Sequence, residues 1–102
     1  MAHRVAWSPE ALEDLEAIAE FIGRDSRFYA QAVVSKVLAI GARLVDFPDA
    51  GRVVPEMGDA AIRERFVYSY RVIYRVEQER VLVIAVIHGK RLLELSDRIT
   101  EK

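Results

Sequence analysis

The sequence has 102 residues, of which 52% are hydrophobic and 30% charged, and its net charge is −1. This composition is typical of a globular chain and not of a disordered one. Proteins that bind a nucleic-acid backbone are usually strongly basic, and this chain is not. The length fits a single domain spanning residues 1–102, and the absence of cysteine excludes disulfides, thiolate zinc sites and cysteine nucleophiles. No apolar run approaches the roughly 20 residues of a membrane span, and the chain does not begin with a secretory signal, so we expect a cytoplasmic protein.

The first predicted elements are a short strand over residues 3–7 and a helix over residues 9–22. Ser8 can accept hydrogen bonds from the first free N–H groups of this helix, and Pro9 loses no hydrogen bond at the first helical position. Gly23 is well placed to end the helix. The apolar positions follow helical spacing and are Leu12, Leu15, Ile18, Ala19 and Ile22.

A second helix is predicted over residues 27–46. Ser26 can cap its start, and Pro48 stops it because the residue before a proline disfavours the helical conformation. Its apolar positions are spaced three and four apart. They are Ala30, Val33, Val34, Val37, Leu38, Gly41, Leu44 and Val45. The short link predicts an antiparallel hairpin of the two helices, and its acidic outer and apolar inner faces indicate that it lies on a sheet.

The second half of the chain is typical of β structure. Residues 48–61 contain two prolines and two glycines and are predicted to be a loop. Strands follow at 62–67, 71–77 and 80–88, which are rich in Val, Ile, Tyr and Phe. Residues 81–87 are apolar on both faces, as expected for a central strand whose two faces are both covered. The helices would cover one face, and the C-terminal segment, a partner chain or both would cover the other.

The element order predicts an α+β fold, in which an N-terminal strand and an antiparallel helix hairpin pack on a curved antiparallel sheet with a C-terminal three-stranded meander. Charge is uneven along the chain. Residues 1–51 carry five basic and eight acidic side chains, whereas residues 52–102 carry ten and eight. This pattern predicts an acidic helical face and an arginine-rich sheet face, although ordinary solvated arginines would give the same pattern. The arginines concerned are Arg63, Arg65, Arg71 and Arg75.

Several short strings occur in a fixed order along nearly the whole chain. They are Trp7-Ser8-Pro9-Glu10-Ala11 with Asp14-Leu15 and Ile18, Pro48 with Gly51-Arg52, Arg63-Glu64, Tyr70-Arg71-Val72-Ile73-Tyr74-Arg75-Val76, and Val86-Ile87-His88-Gly89-Lys90-Arg91. Their order and spacing resemble the RelE/ParE superfamily of type II toxins, to which plasmid stabilisation proteins belong. The resemblance implies a small toxin that is neutralised by a cognate antitoxin in a hetero-oligomer. RelE-like members cut messenger RNA on the ribosome and ParE-like members poison DNA gyrase, and the fold alone does not decide between these targets.

A RelE-like function would be metal-independent cleavage of mRNA, in which a 2′-hydroxyl attacks the adjacent phosphate. This needs a base, an acid and cations over the phosphate. The resemblance places two of the family's cations at Arg71 and Arg91, but its lysine positions fall on Ile62 and Glu64. His88 is the candidate replacement, because histidine suits acid/base chemistry at neutral pH. The alternative is a structural histidine at the end of a strand.

The pair Arg63-Glu64 resembles the ParE side of the superfamily more closely. There, Arg71 would pair with a carboxylate within the fold and would not bind phosphate. We therefore favour a ParE-like inhibitor of DNA gyrase. A RelE-like mRNA endoribonuclease is the alternative, and a non-toxic binding module derived from the family is a further one.

The expected antitoxin segment is an amphipathic helix, with or without an extended stretch. On the outer side of the hairpin it could contact Phe21, Phe28 and Tyr29, which could instead form a local staple. The sheet face offers a second set of candidate partner-binding residues, Arg63, Glu64 and Arg75. Its basic residues could meet acidic antitoxin residues, and these are Arg63, Arg71, Arg75 and Arg91. We expect no cofactor and no metal, because neither histidine has a carboxylate at ligand spacing and the chain lacks a glycine-rich phosphate loop.

Overall fold

The computed structural model describes residues 4–89. The elements in chain order are β1 (Val5–Trp7), α1 (Pro9–Gly23), α2 (Arg27–Arg43), β2 (Arg52–Val53), β3 (Ile62–Val67), β4 (Tyr70–Val76) and β5 (Val81–His88). The five strands form one sheet in the order β1-β5-β4-β3-β2, and the two helices pack on one side of it. The predicted α+β fold is confirmed. The sheet is mixed, because β1 pairs with β5 in parallel while the other pairs are antiparallel.

Both helices begin where the sequence predicts, and for the predicted reason. The hydroxyl of Ser8 accepts a hydrogen bond from the N–H of Ala11 at 3.0 Å, and that of Ser26 accepts one from Tyr29 at 3.0 Å. The second helix ends at Arg43, so its predicted end at residue 46 is wrong. The helix ends in a tighter turn, because the N–H of Leu44 donates a hydrogen bond to the carbonyl of Gly41, three residues earlier in the chain.

The central position of β5 is confirmed, since it lies between β1 and β4. Its side chains enter a core on each face of the sheet. On the helix face, the face covered by α1 and α2, the core contains Val72, Tyr74, Val81, Val83 and Val86. On the opposite side, here called the open face, it contains Val54, Ile62, Ile73, Ile84 and Ala85.

A bulge in β5 sets which residues reach which face. Ile73 pairs with Ala85 and Tyr74 pairs with Val83, so Ile84 is an extra residue in the ladder. Val83 and Val86 can therefore share the helix face although they are three positions apart. Helix α1 docks at this bulge, because the carboxylate of Asp14 accepts a hydrogen bond from the N–H of Val86 at 3.0 Å.

The loop that precedes β3 folds back over part of the open face. Its Val54 is fully buried, and Met57 packs against the same cluster. The predicted cover for this face was the C-terminal segment or a partner; residues 90–102 lie outside the described part of the chain. We call residues 54–61 the Glu56 loop. Among residues 4–89, neither helix is long and apolar enough to cross a membrane.

Two leucines assigned to the apolar stripes are only half covered. Leu12 on α1 and Leu38 on α2 are exposed to 51% and 45%. Helical spacing placed both residues on the apolar stripes that form the predicted inner face, and the structure leaves about half of each residue exposed to solvent.

Candidate functional site

The register of the meander decides which charged side chains share a face. Arg71 pairs with Phe66, Ile73 with Glu64, and Arg75 with Ile62. Directly paired residues point to the same side of a sheet, and Ile62 and Ile73 belong to the core of the open face. Glu64, Arg71 and Arg75 therefore lie on the open face.

Arg63 lies on the other side of the sheet from Arg71. It pairs with Tyr74, which belongs to the helix-face core. Its guanidinium donates to the backbone carbonyls of Gly51 at 2.9 Å and Ala60 at 3.0 Å, and its Nε lies 3.7 Å from the carboxylate of Asp49. The prediction that Arg63 and Arg71 share one face of the sheet is therefore wrong. Side chains alternate between the two faces along a strand, and the register of β3 and β4 places these two on opposite faces.

The side chain of Arg71 is buried, with 3% of its surface exposed, and its guanidinium is enclosed by carboxylates. Its Nε donates to Oε1 of Glu64. Its Nη2 donates to Oε1 of Glu56 at 3.0 Å, and its Nη1 lies 3.5 Å from the second oxygen of the same carboxylate. Nη1 also donates to the carbonyl of Gly89 at 3.3 Å, where β5 ends. Arg71 thus ties the Glu56 loop, β3 and the end of β5 together.

Glu64 is shared between two arginines. Its side chain is fully buried, and its second oxygen accepts from Nε of Arg52 at 2.6 Å. The guanidinium of Arg52 also lies 5.2 Å from the centre of the Phe66 ring, which is half exposed. The interpretation of Arg71 as a residue paired within the fold fits this arrangement. Glu56 was not singled out from the sequence, and Arg52 entered only as part of a resemblance string with no role assigned, since both lie in or beside a loop with no periodic pattern.

The network perturbs the pKa values of Glu56 and Arg71 in the direction that keeps both side chains charged. The hydrogen bond from Arg71, together with a backbone hydrogen bond, holds the pKa of Glu56 below its ordinary value. Burial by itself lowers the pKa of Arg71, but the hydrogen bonds to Glu56 and Glu64 outweigh burial and raise that pKa. The ion pairs join two arginines and two glutamates on the open face.

His88 lies on the opposite face from Arg71. It pairs with Tyr70, and the two rings meet edge to face with centroids 5.9 Å apart. Arg71 pairs instead with Ile87, one residue earlier in β5. The structure therefore does not bring together the two described residues of the predicted nuclease site, and the third, Arg91, lies outside the described residues. Of the family's lysine positions, Ile62 is buried in the open-face core, and Glu64 holds Arg71.

An aromatic surface lies at the end of the molecule where the helices meet. Phe21, Phe28 and Tyr29 are exposed, Phe28 to 82%. The ring of Tyr29 contacts that of Tyr68, with centroids 5.9 Å apart. We use the name aromatic surface for these four side chains. The exposure of the first three leaves their rings accessible to solvent, as a partner-binding surface would require. The sequence analysis gave Tyr68 no part in this surface, because it is distant in sequence from the other three.

The backbone at Tyr68 is unusual. Val67 pairs with Tyr70, so Tyr68 and Ser69 form a two-residue turn between β3 and β4. Tyr68 has a φ of 54°, in the left-handed region that a bulky side chain rarely adopts. The turn holds the ring of Tyr68 against α2.

Arg75 lies at the far end of β4 from Arg71. It shares the carboxylate of Glu77 with Arg80 in the turn before β5. Burial by itself raises the pKa of Glu77, but the hydrogen bonds from the two arginines outweigh burial and hold that pKa below its ordinary value. Within residues 4–89, no cluster of three histidine, aspartate or glutamate side chains is placed to hold a metal ion.

Comparison with known proteins places these features in a family. Residues 5–93 match the family described as the ParE toxin of the type II toxin-antitoxin system parDE. A relative from Caulobacter vibrioides, Toxin RelE2, is 31% identical over 90 residues, which cover 87% of this chain and 98% of the relative. A solved structure of the chromosomal ParDE system from P. aeruginosa has a TM-score of 0.70 at 16% identity, covering 88% of this chain and 98% of the other. At that identity the solved structure supports the fold alone.

Proposed function

The chain belongs to the ParE family of toxins from type II toxin-antitoxin systems, and we propose that its target is DNA gyrase. In this proposal residues 1–102 form a single toxin domain in the cytoplasm. A cognate antitoxin binds it in a hetero-oligomer, and release of the antitoxin allows the toxin to inhibit gyrase.

The observation that carries the proposal is the enclosure of Arg71. Cleavage of RNA needs a cation placed over the scissile phosphate, with an acid and a base in the same site. Here the guanidinium of Arg71 is held by Glu64 and Glu56. A phosphate approaching Arg71 would meet two carboxylates, which repel it. His88, the acid or base of the nuclease hypothesis, lies on the other face of the sheet.

A protein target is consistent with the rest of the surface. The net charge of −1 gives little electrostatic attraction to a polyanion. The aromatic surface instead offers large apolar side chains, of the kind that contribute most to protein interfaces. We propose that this surface binds a protein partner and that the antitoxin covers it when it neutralises the toxin.

A gyrase supercoiling assay with the purified full-length toxin tests the proposed target. We expect the toxin to block supercoiling or to trap cleaved DNA at micromolar concentration, and the antitoxin to reverse the effect. Phe28→Ala should weaken the inhibition if the aromatic surface contacts gyrase. His88→Ala is the matched control for an exposed ring and should inhibit as the native chain does. Normal supercoiling at micromolar toxin would overturn the proposal.

The alternative is mRNA cleavage, which the name of the relative Toxin RelE2 favours. It is tested by incubating the toxin with ribosomes that carry a defined message. On our proposal the message stays intact. Cleavage that is lost in both Arg71→Ala and His88→Ala would establish the ribonuclease instead. If expression without an antitoxin leaves growth normal, the non-toxic binding module becomes the better description.

A further inference from the structure

We propose that the outer edge of the Arg71 guanidinium is a binding site for a carboxylate of the antitoxin, and that Glu56 occupies this site in the free toxin. The inference rests on the partnership with an antitoxin and does not depend on gyrase being the target. It identifies Glu56 as an internal competitor of the partner.

The two carboxylates that hold Arg71 are not equivalent. Glu64 lies within β3 and is fully buried, and each of its two oxygens accepts a hydrogen bond from the Nε of a different arginine, Arg52 or Arg71. Glu56 lies on a loop, its side chain is 40% exposed, and it faces the two terminal nitrogens of Arg71. Glu64 cannot leave without uncovering two arginines, whereas Glu56 can turn into solvent when its loop moves.

Departure of Glu56 would leave an unbalanced charge. Arg52 and Arg71 would then share the single carboxylate of Glu64, with one net positive charge left on the open face. Arg71 is nearly inaccessible to water while Glu56 covers it, so losing this carboxylate has a free-energy cost that another anion at the same edge would offset. A replacement ligand therefore favours opening of the Glu56 loop, which couples the movement to binding.

A carboxylate on an apolar protein segment fits this edge better than a nucleic-acid backbone does. The two terminal nitrogens already accommodate a planar carboxylate, and the fork of an arginine matches that shape. A nucleic acid brings several phosphates and needs several free cations, whereas Arg52 is engaged by Glu64, whose own charge repels phosphate.

Two of the neighbouring side chains are apolar. Phe66, paired with Arg71 across the strands, is 49% exposed, and Ile87, its partner on β5, is partly buried. A segment that places one acidic side chain among apolar ones would satisfy both Arg71 and its neighbours. This pattern is that of an amphipathic helix or of a strand that lies along the sheet.

The test measures binding of a free carboxylate to the full-length toxin. Sodium acetate is titrated at neutral pH and constant ionic strength, and the Nε–H resonance of Arg71 and the amide resonance of Gly89 are followed by NMR. We expect Glu56→Gln to bind acetate roughly tenfold more tightly than the native chain, because one charged hydrogen-bonding ligand has been removed from the site.

The matched control is Glu77→Gln, which removes a carboxylate held by two arginines at the turn before β5. It should bind acetate at Arg71 as weakly as the native chain does. Equal affinities for acetate in the native chain and in Glu56→Gln would overturn the site. If inorganic phosphate saturates Glu56→Gln at a lower concentration than acetate, the choice of a carboxylate ligand is overturned.

The role of the partner is tested with the antitoxin that neutralises the toxin in a growth assay. Glu56→Gln should bind this antitoxin several-fold more tightly than the native chain, because the internal competitor is gone, and Glu77→Gln should match the native chain. Equal or weaker binding by Glu56→Gln would overturn the competition. None of these measurements involves gyrase, so their failure would leave the proposed target untouched.

Discussion

On the helix face of the sheet, valines, leucines and the buried ring of Tyr74 pack against α1 and α2, whereas on the open face a smaller apolar cluster lies beside four ionised side chains. The helix face is stabilised by apolar area, to which each residue contributes separately. The open face also depends on a set of charges in which each member needs the others. A partner can therefore act on the open face by exchanging one charge, whereas the described residues that form the helix-face core carry no charge to exchange.

The largest effect should come from Glu64→Gln. This change leaves Arg52 and Arg71 without the buried carboxylate that they share, and breaking a buried ion pair costs about 3–5 kcal/mol. The free energy of unfolding in urea measures it. The exposed carboxylate of Glu79 is the control, and Glu79→Gln should change stability by less than about 0.5 kcal/mol. Similar small losses for both would show that the open face does not depend on its charges.

On the helix face, Leu44→Ala should cost about 2–5 kcal/mol because it leaves a cavity in a close-packed core. Leu44 is fully buried and belongs to the helix-face cluster. Its loss should be independent of salt, since no charge is involved. Leu38→Ala, at a half-exposed position of α2, should cost clearly less. A salt-dependent loss at Leu44 would contradict the division between the two faces.

Tyr74→Phe tests the polar group of the helix face. The hydroxyl of Tyr74 accepts from the N–H of Gly51 at 2.8 Å and donates to the carbonyl of Pro48 at 2.8 Å. Its removal leaves a buried N–H without its partner, which costs about 1–3 kcal/mol. Burial raises the pKa of Tyr74, so the hydroxyl stays protonated at neutral pH. Tyr68→Phe, at an exposed hydroxyl, should be close to neutral in the same unfolding measurement.

The smallest effect should be the pH dependence that Glu56 contributes. Because the pKa of Glu56 is lower in the folded chain than its ordinary value of 4.5, its contribution is fully present above that value. It is lost as the pH falls through the folded pKa. Since Glu56 is partly exposed, this contribution is at most about 1 kcal/mol. Unfolding followed from neutral pH to pH 3 should show a shallower acid loss in Glu56→Gln than in the native chain, and identical slopes would contradict the ion pair.

Local sequence patterns were sufficient for the helix starts and for four of the five strands, whereas β2 lies in the segment predicted to be a loop, because a two-residue strand is too short to show alternation. Ser8 and Ser26 cap their helices because a serine hydroxyl satisfies N–H groups only three residues away. The strand predicted at 62–67 matches β3, since alternation depends on neighbours in the chain. The same reasoning found the exposed aromatic side chains Phe21 and Phe28 but gave no part to Tyr68, which reaches Tyr29 from another element.

The candidate site was only partly predictable. Arg71 was identified, and its pairing with a carboxylate was one of the interpretations considered. Glu56 was not identified, because it lies 15 residues from Arg71 in an irregular loop. Arg63 and His88 were grouped with Arg71 because all three belong to the same meander, and the strand register then placed them on the other face.

The sequence by itself determined the two helices, four of the five strands, their order and the family, because caps, periodicity and short motifs act over a few neighbouring residues. Only the tertiary structure decided that β1 joins the sheet in parallel, that a bulge at Ile84 shifts the alternation of β5, and that Glu56 closes over Arg71. Alternation along one strand shows which of its residues share a face of the sheet. It does not show which residues of another strand lie on that same face. That relation is fixed only when the strands pair.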